Sequence, residues 1–196
     1  MKRILTVCMA LALALAGATP SLAKKVATYG VAFYNLENLF DTINNNGKYD
    51  LEFSPEGSYR WDGRKYRAKI DKLGYAISQM VTKTTPEGPA VIGMSEIENI
   101  TVMQDLVNDP HIKDRGYRIV HHDSPDRRGV DVGLIYNPKF FRPLNTTNHT
   151  LVVPELPNFR TRDQMCVVGL LGNRVAGYSR AVSYTHLRAH ETVLDL

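Results

Sequence analysis

The stretch VAFYNLENLF, from Val31 to Phe40, decides how the rest of the chain is interpreted. Its first four residues, VAFY, are typical of a strand, and Asn35, Glu37 and Asn38 follow where that strand should end. Successive side chains of a strand point to opposite faces, so we expect Asn35 and Glu37 to point the same way. The stretch therefore predicts a strand whose end carries oxygen-bearing side chains suited to a metal ion or a phosphate.

A second buried strand is predicted in AVIGMSEIEN, from Ala90 to about Glu96. If the two strands are neighbours, Asn35, Glu37 and Glu96 converge at one rim of a sheet. Oxygen ligands on a rigid edge suit a hard cation such as Mg²⁺, held by one or two carboxylates plus water and substrate phosphate. An alternative stays open at this point, in which Asn35 and Asn38 cap the turn after the strand and Glu37 is solvated.

The rest of the pattern alternates helices and strands and then ends mostly in strands. KYRAKIDKLGYAISQMV predicts a helix, a second short helix is expected near residues 102–107, and YRIVHHD, VDVGLIYNP and TRDQMCVVGLL predict strands. We expect SPDRRG to join the first two of these strands as a hairpin-like connection. The order indicates a mixed α/β or α+β layered domain. The apolar face of the longer helix consists of Tyr66, Ile70, Leu73, Ile77 and Met80.

The first 23 residues have the features of a secretory signal. Lys2 and Arg3 precede an apolar run, and a small-x-small site ends at Ala23, where we expect cleavage. The protein is therefore expected to be exported, periplasmic or secreted, and to have no stable membrane anchor.

Charge and cysteine content exclude other classes of function. Removal of Lys2 and Arg3 with the signal lowers the formal net charge from +4 to +2, which is too weak to indicate a nucleic-acid-binding face by itself. Cys166 is then the single cysteine, so no intrachain disulfide can form. Its apolar surroundings, MCVVGLL, predict a core residue rather than a catalytic thiol.

Four motifs together resemble one superfamily. FYNLENLFD, VIGMSEIEN, SPDRRGVDVGLIYNP and RTRD occur in the order of the endonuclease/exonuclease/phosphatase superfamily, and are most similar to its secreted bacterial branch. The resemblance covers roughly residues 29–172. It implies a four-layered α/β sandwich with two packed sheets. It also implies hydrolysis of phosphate esters, in nucleic acids, phosphoinositides or sphingomyelin, with Mg²⁺ or a related ion such as Mn²⁺ or Ca²⁺.

The resemblance assigns roles to residues at the first two motifs. Asn35 matches a catalytic position that helps to place the phosphate and the nucleophile. Glu96 matches the metal-binding glutamate, which makes it both a catalytic and a metal residue, and Glu37 matches a second carboxylate near the metal in some relatives. Glu98 lies two residues further on and could share the face of Glu96, so the choice between these two glutamates stays open.

The later motifs supply candidate substrate contacts. Arg128 and Arg162 match positions near the substrate phosphate, with a solvated surface charge as the alternative for Arg128. Asp131 is expected either near the phosphate or as a structural partner of an arginine. His121 and His122 are adjacent on a strand and face opposite ways, so we interpret them as structural.

The resemblance ends before the C-terminus. The superfamily takes its general base from later Asp-x-Asn and Asp-His motifs, and neither occurs here. The segment from about Val182, and at the widest residues 173–196, is interpreted as a divergent or artefactual tail; His186 and His190 within it lack the glutamate of a zinc-protease helix. We therefore expect a signal over 1–23, an N-terminal domain fragment over 24–172 and then the tail.

Such a fragment is expected to contain only the strands of the first sheet. The inner face of that sheet would then lack a partner, and this face is expected to include Val31, Phe33, Ile92, Val132 and Leu134.

The sequence as a whole predicts an exported metal-dependent hydrolase of phosphate esters, with nucleic acid among its candidate substrates. We expect a monomer, and we expect the chain as it stands to be a truncated, inactive form. The alternative is a secreted non-catalytic binding module built on the same fold.

Overall fold

The computed structural model describes residues 27–43, 51–173 and 177–185, which form two β-sheets and two α-helices. The strands of the first sheet are β1 at Val31–Leu39, β2 at Val91–Ile97, β3 at Arg118–His121 and β4 at Asp131–Tyr136, in the order β1-β2-β4-β3. Strands β1 and β2 are parallel, whereas β4 runs antiparallel to both of its neighbours, β2 and β3. The four expected strands of this region and the hairpin-like connection between β3 and β4 are confirmed.

Two helices cover one face of this sheet. Helix α1 spans Gly63–Ser78 and begins at Asp62, whose side chain accepts a hydrogen bond from the Lys65 N–H. Helix α2 spans Ile100–Val107 and begins at Asn99, whose side chain caps the Val102 N–H. Both expected helices are confirmed. Four of the five predicted apolar positions of α1 lie within the helix and pack on the first sheet, and Met80 packs on the same core just beyond its end.

A second sheet packs on the other face. It has the order β5-β6-β7, with antiparallel neighbours, and its strands are β5 at Phe141–His149, β6 at Gln164–Asn173 and β7 at Gly177–Thr185. The expectation that only the first sheet is represented is wrong, because the chain after Asn137 turns back and builds these three strands. Strand β7 extends into the segment interpreted as a tail, and the domain boundary at residue 173 stays a prediction.

The core between the two sheets is made by alternate residues of their strands. Val132 and Leu134 of β4 are buried with Met165 and Val167 of β6. Ile92 was expected on this face but lies with the helices instead, because in the observed register Val91 faces the second sheet and its neighbour must face away. The first sheet is thus buried on both faces along β2 and β4.

Strand β1 lies at the edge of this arrangement. Val31 is 67% exposed and Phe33 is 40% exposed, although both are on the face that the second sheet covers further along. Apart from the uncovered edge at β1, the expected mixed α/β sandwich of two sheets is confirmed. The described residues form three of the expected four layers, namely the helices and the two sheets.

The remaining expectations concern the two ends of the chain, membrane spans and Cys166. The signal, 1–23, and the two tail histidines lie outside the described residues. Among the described residues, no helix is both long and apolar enough for a membrane span. Cys166 is buried and unbonded, which confirms its interpretation as a core residue.

Candidate functional site

The candidate residues lie along one edge of the first sheet. The carboxyl ends of the parallel strands β1 and β2 meet there, and the antiparallel strand β4 begins at the same edge. Asn35 pairs with Ser95, and Ile97 pairs with Asp131 across the next strand. The topology therefore brings the first two motifs to one rim, as expected for neighbouring strands, and adds the start of β4 from the third motif.

The end of β1 departs from regular strand geometry. Glu37 and Asn38 have φ angles of 52° and 61°, and the pairing with β2 is interrupted between Asn35 and Leu39. The Asn35 side chain accepts a hydrogen bond from the Glu37 N–H at 2.8 Å, which closes a small turn. Asn35 therefore does cap the turn, and Glu37 is exposed. Strict alternation of faces does not apply beyond Asn35, so the expectation that Asn35 and Glu37 share a face has no basis in this geometry.

Glu96 lies at the centre of the rim and is 7% exposed. Its own φ of 60° forms a bulge in β2, which pairs again with both neighbouring strands at Ile97. Its Oε2 accepts a hydrogen bond from the Asn38 N–H at 3.1 Å, and its Oε1 lies 3.6 Å from Nη1 of Arg162. Two predicted site residues, Glu96 and Arg162, are thus brought into contact from different sheets.

Glu98 occupies a separate position. Its Oε2 accepts the Asp41 N–H at 2.7 Å, and the Asp41 carboxylate in turn accepts a hydrogen bond from the Asn99 side chain at 3.1 Å. Glu96 and Glu98 therefore hold different parts of the chain around the end of β1, and Glu96 is the one that contacts Arg162 at 3.6 Å. The two glutamates do not share a face, because the bulge at Glu96 breaks the strand between them.

Buried polar atoms without hydrogen-bond partners occur on Arg162 and on sequence neighbours of Glu96 and Arg162. Arg162 Nη1 has no hydrogen-bond partner within the described residues, and the same holds for Ser95 Oγ and Asp163 Oδ1. Ser95 directly precedes Glu96, and Asp163 directly follows Arg162. A buried polar group without a partner is costly, so such atoms indicate sites that water, an ion or a ligand completes.

Lys69 is a site residue that the sequence analysis missed. It lies on α1, and its ammonium group donates hydrogen bonds to the carbonyl oxygens of Glu37 and Asn38. Burial lowers the pKa of Lys69, while the nearby carboxylates of Glu37 and Glu96 act in the opposite direction. Both hydrogen-bond acceptors of Lys69 are backbone carbonyl oxygens, so no side-chain pattern in the sequence indicates its place at the rim.

Arg128 stands apart from this group. Its backbone N–H and its side chain both contact Asp126, and the Arg128 side chain is 55% exposed. Asp131 accepts hydrogen bonds from the Ser124 N–H and hydroxyl and lies 3.1 Å from His121. The expected arginine partner of Asp131 is therefore wrong, because Ser124 and His121 surround the carboxylate instead.

A second group of potential ligands lies at the far end of the rim. Atoms of His121, Asp123 and Asp131 that could bind a metal lie within 4.8 Å of one another. The two buried members already contact each other through His121 Nε2 and Asp131 Oδ2. His122 instead contacts Thr146 of the second sheet, which agrees with the prediction that the two histidines face opposite ways.

Comparisons with known proteins give the family. The model of an endonuclease/exonuclease/phosphatase family matches residues 30–178. No curated protein matches the sequence significantly.

Solved structures of three bacterial proteins are similar to the chain at low identity. The mannosyl-6-phosphatase of Bacteroides thetaiotaomicron VPI-5482 is 18% identical, with a TM-score of 0.46, and the match covers 80% of this chain and 51% of that one. A family protein of Bacteroides thetaiotaomicron is 17% identical, with a TM-score of 0.44, over 79% of this chain and 48% of that one. One from Bacteroides vulgatus is 15% identical, with a TM-score of 0.43, over 78% and 50%.

The chain spans about half the length of these three structures. The family match, in contrast, extends over most of this chain, from the start of β1 into β7. The four motifs, the first sheet and strands β5 and β6 of the second lie within that match. The chain belongs to the endonuclease/exonuclease/phosphatase family.

Proposed function

We propose that the protein is an exported hydrolase of phosphate esters that uses a divalent cation at the Glu96 rim. The observation that carries the proposal is the contact between Glu96 and Arg162. A buried carboxylate suited to a cation lies 3.6 Å from a buried guanidinium suited to a phosphate. Substrate phosphate and metal have to meet at such a junction, since the metal in these sites is held partly by the phosphate itself.

The residues present fit a hard cation such as Mg²⁺. Glu96 Oε2 is fixed by the Asn38 N–H, whereas Oε1 is held only at ion-pair distance from Arg162. The buried Ser95 hydroxyl without a partner adds a further oxygen donor next to Glu96. When bound, the cation supplies charge stabilisation to the phosphoryl oxygens. Glu96 is its proposed ligand, with Glu37 contributing a second negative charge nearby.

Arg162 has the proposed role of binding the substrate phosphate. A guanidinium presents several N–H donors in one plane, which match two phosphate oxygens at once. Its Nη1 is buried and lacks a hydrogen-bond partner in the described residues, so a phosphate oxygen would satisfy it. Asn35 lies at the same rim and is the proposed orienting residue for the phosphate and the attacking water. Arg128 is proposed as a more distant, exposed substrate contact.

The general base is proposed to come from outside these motifs. Proton transfer by a positioned base typically contributes about 10²–10⁴-fold to a rate. The sequence contains neither the Asp-x-Asn nor the Asp-His motif expected from the resemblance. We therefore propose that a longer form of the protein, called the full-length protein below, supplies the base, and that residues 24–196 alone do not turn over substrate. Export is proposed from the signal features of residues 1–23, and a mature N-terminus at Lys24 should be found by intact-mass measurement of the exported protein.

Hydrolysis by the full-length protein tests the function. We expect release of nitrophenol from a nitrophenyl phosphodiester or phosphomonoester in Mg²⁺, Mn²⁺ or Ca²⁺, and loss of that release in excess chelator. The control is Glu87→Gln, which removes an exposed carboxylate paired with Lys139 far from the rim. It should behave as the unsubstituted protein. Absence of hydrolysis with both substrates and all three ions would contradict the proposal and favour a non-catalytic binding module on the same fold.

A further inference from the structure

The rim depends on backbone in an unfavourable conformation. Glu37, Asn38 and Glu96 all have positive φ angles, between 52° and 61°, and none is glycine. Residues other than glycine adopt this conformation only when their surroundings hold them there. The surroundings of these three residues therefore determine whether the Glu96 carboxylate is correctly placed.

Lys69 is the side chain that holds this backbone from the helical layer. Its ammonium group donates to the carbonyl oxygen of Glu37 and, at 3.2 Å, to that of Asn38. These two residues lie in the interruption of the β1–β2 pairing, which stops at Asn35 and resumes at Leu39. Lys69 thus supplies a donor to two carbonyl groups within this interruption, of which that of Asn38 also accepts the Phe40 N–H at 3.1 Å.

The ammonium group of Lys69 also lies over an aromatic ring. It lies 5.7 Å from the centre of the Trp61 ring, a distance at which a cation and an aromatic face attract each other. The Trp61 Nε1–H in turn donates to the carbonyl oxygen of Phe40, two residues beyond Asn38. Lys69 and Trp61 therefore hold the backbone at the end of β1 at Glu37, Asn38 and Phe40.

The peptide that Lys69 holds also contacts the proposed metal ligand. The Asn38 N–H donates to Glu96 Oε2, which leaves Oε1 directed towards Arg162. We infer that Lys69 is a positioning residue for the cation site: by fixing Glu37 and Asn38 it orients the Glu96 carboxylate without contacting the cation. This inference rests on the proposed cation site at Glu96.

Two substitutions separate positioning from a general effect on folding. Lys69→Met retains a stem of similar length over Trp61 but removes the charge and all three N–H donors, whereas Lys69→Arg retains a cation and donors. Lys72→Met is the matched control, because Lys72 is an exposed lysine on the same helix and lines the same groove beside Trp61. Each variant is compared at a temperature well below its own melting transition.

The primary measurement is Mn²⁺ affinity of the full-length protein, from the electron paramagnetic resonance of free Mn²⁺. We expect Lys69→Met to weaken Mn²⁺ binding by about 10- to 100-fold, as is typical when a residue that orients a metal ligand is removed. Lys69→Arg should restore most of the affinity, and Lys72→Met should leave it unchanged. Backbone amides of residues 36–39 should exchange faster with solvent deuterium in Lys69→Met than in the control.

Equal Mn²⁺ affinity in Lys69→Met and the unsubstituted protein would overturn the inference, and so would an absence of Mn²⁺ binding to the unsubstituted protein. Hydrolysis is recorded separately. If the protein binds Mn²⁺ but hydrolyses no phosphate ester, the proposed function fails while the affinities still decide the role of Lys69.

Discussion

At the scale of single residues, Arg162 links the two sheets at the rim. Its side chain is 11% exposed and lies against Glu96 at 3.6 Å. Burying a guanidinium is costly unless its N–H groups are paired, and this one retains a donor without a partner in the described structure. The cost is understandable if a phosphate completes the contact.

Substitution of Arg162 should therefore affect substrate binding more than folding. We expect Arg162→Gln to raise KM for a phosphate ester by at least about tenfold, since hydrogen bonds to charged groups are worth about 1.5–3 kcal/mol. Arg162→Lys should recover only part of this, because an ammonium cannot donate in the two-pronged geometry of a guanidinium. Steady-state kinetics of the full-length protein measure both. Arg160→Gln is the control, because Arg160 donates to loop carbonyls and is exposed. An unchanged KM in Arg162→Gln would exclude a phosphate contact.

Residues at the rim differ in how far the sequence alone could predict them. Glu96 could be placed at a strand end because it terminates an apolar run. Lys69 could not be placed, because its two partners are backbone carbonyls whose conformation no side-chain pattern reveals. The pairing of Arg162 with Glu96 depends on how the second sheet packs on the first, which periodicity does not encode.

At the scale of elements, the start of α1 supports the rim because this helix carries Lys69. Asp62 caps the helix by accepting the Lys65 N–H at 2.8 Å. This hydrogen bond is the main reason that the pKa of Asp62 lies below its ordinary value of 3.8. A carboxylate at a helix N-terminus also interacts favourably with the helix dipole.

Loss of this cap should destabilise the protein in a pH-dependent way. Because the folded-state pKa of Asp62 is lowered, its contribution is present above the unfolded value of 3.8 and is lost as pH falls through the folded value. We expect Asp62→Ala to melt a few degrees below the unsubstituted protein at pH 7, and this gap to shrink below pH 3.8. Asp62→Asn should melt between the two at pH 7, because asparagine still caps. Thermal melts at several pH values measure the gap. A gap that stays constant down to the lowest pH would show that the charge of Asp62 contributes nothing.

Elements were easier to predict than their ends. The spacing of apolar residues along α1 was sufficient to place the helix, and Asp62 explains where it begins. At the end of β1 the Asn35 side chain accepts a hydrogen bond from the Glu37 N–H, and Glu37 has a positive φ angle. The alternation of side chains along the strand therefore could not predict this geometry. Short polar side chains that can compete with the hydrogen bonds of a sheet are recognisable in a sequence. Whether they interrupt the strand depends on the neighbouring strand.

At the scale of the whole molecule, the inter-sheet core holds the two halves of the rim together. Glu96 belongs to the first sheet and Arg162 precedes β6 of the second, so their contact depends on how the sheets pack. Leu134 is fully buried in this core, whereas Phe33 on the same face of the sheet is 40% exposed. The expected inner face was correct for Val132 and Leu134, but the sequence could not show that the second sheet leaves the β1 edge uncovered.

This difference in burial predicts that truncation of Leu134 and of Phe33 will lower the free energy of unfolding by different amounts. We expect Leu134→Ala to lower the free energy of unfolding by about 2–5 kcal/mol, the range for a large aliphatic side chain removed from a close-packed core. Phe33→Ala should cost clearly less despite its larger side chain, because part of the ring is already in water. Urea denaturation measures both. Equal losses would mean that the β1 edge is as well covered as the centre of the sheet.

We propose that Glu96, and not Glu98, is the carboxylate that holds the cation for phosphate-ester hydrolysis. The direct test is a Mg²⁺ titration of hydrolysis by the full-length protein and by its Glu96→Gln and Glu98→Gln variants. Loss of the ligand should reduce the rate by at least about 100-fold at low Mg²⁺, since even residues that only orient a ligand cost about 10- to 100-fold. Glu98→Gln should lower the melting temperature and leave the Mg²⁺ dependence nearly unchanged, because Glu98 holds the Asp41 N–H. Near-native turnover of Glu96→Gln at low Mg²⁺, together with loss of turnover in Glu98→Gln, would show that Glu98 and not Glu96 holds the cation.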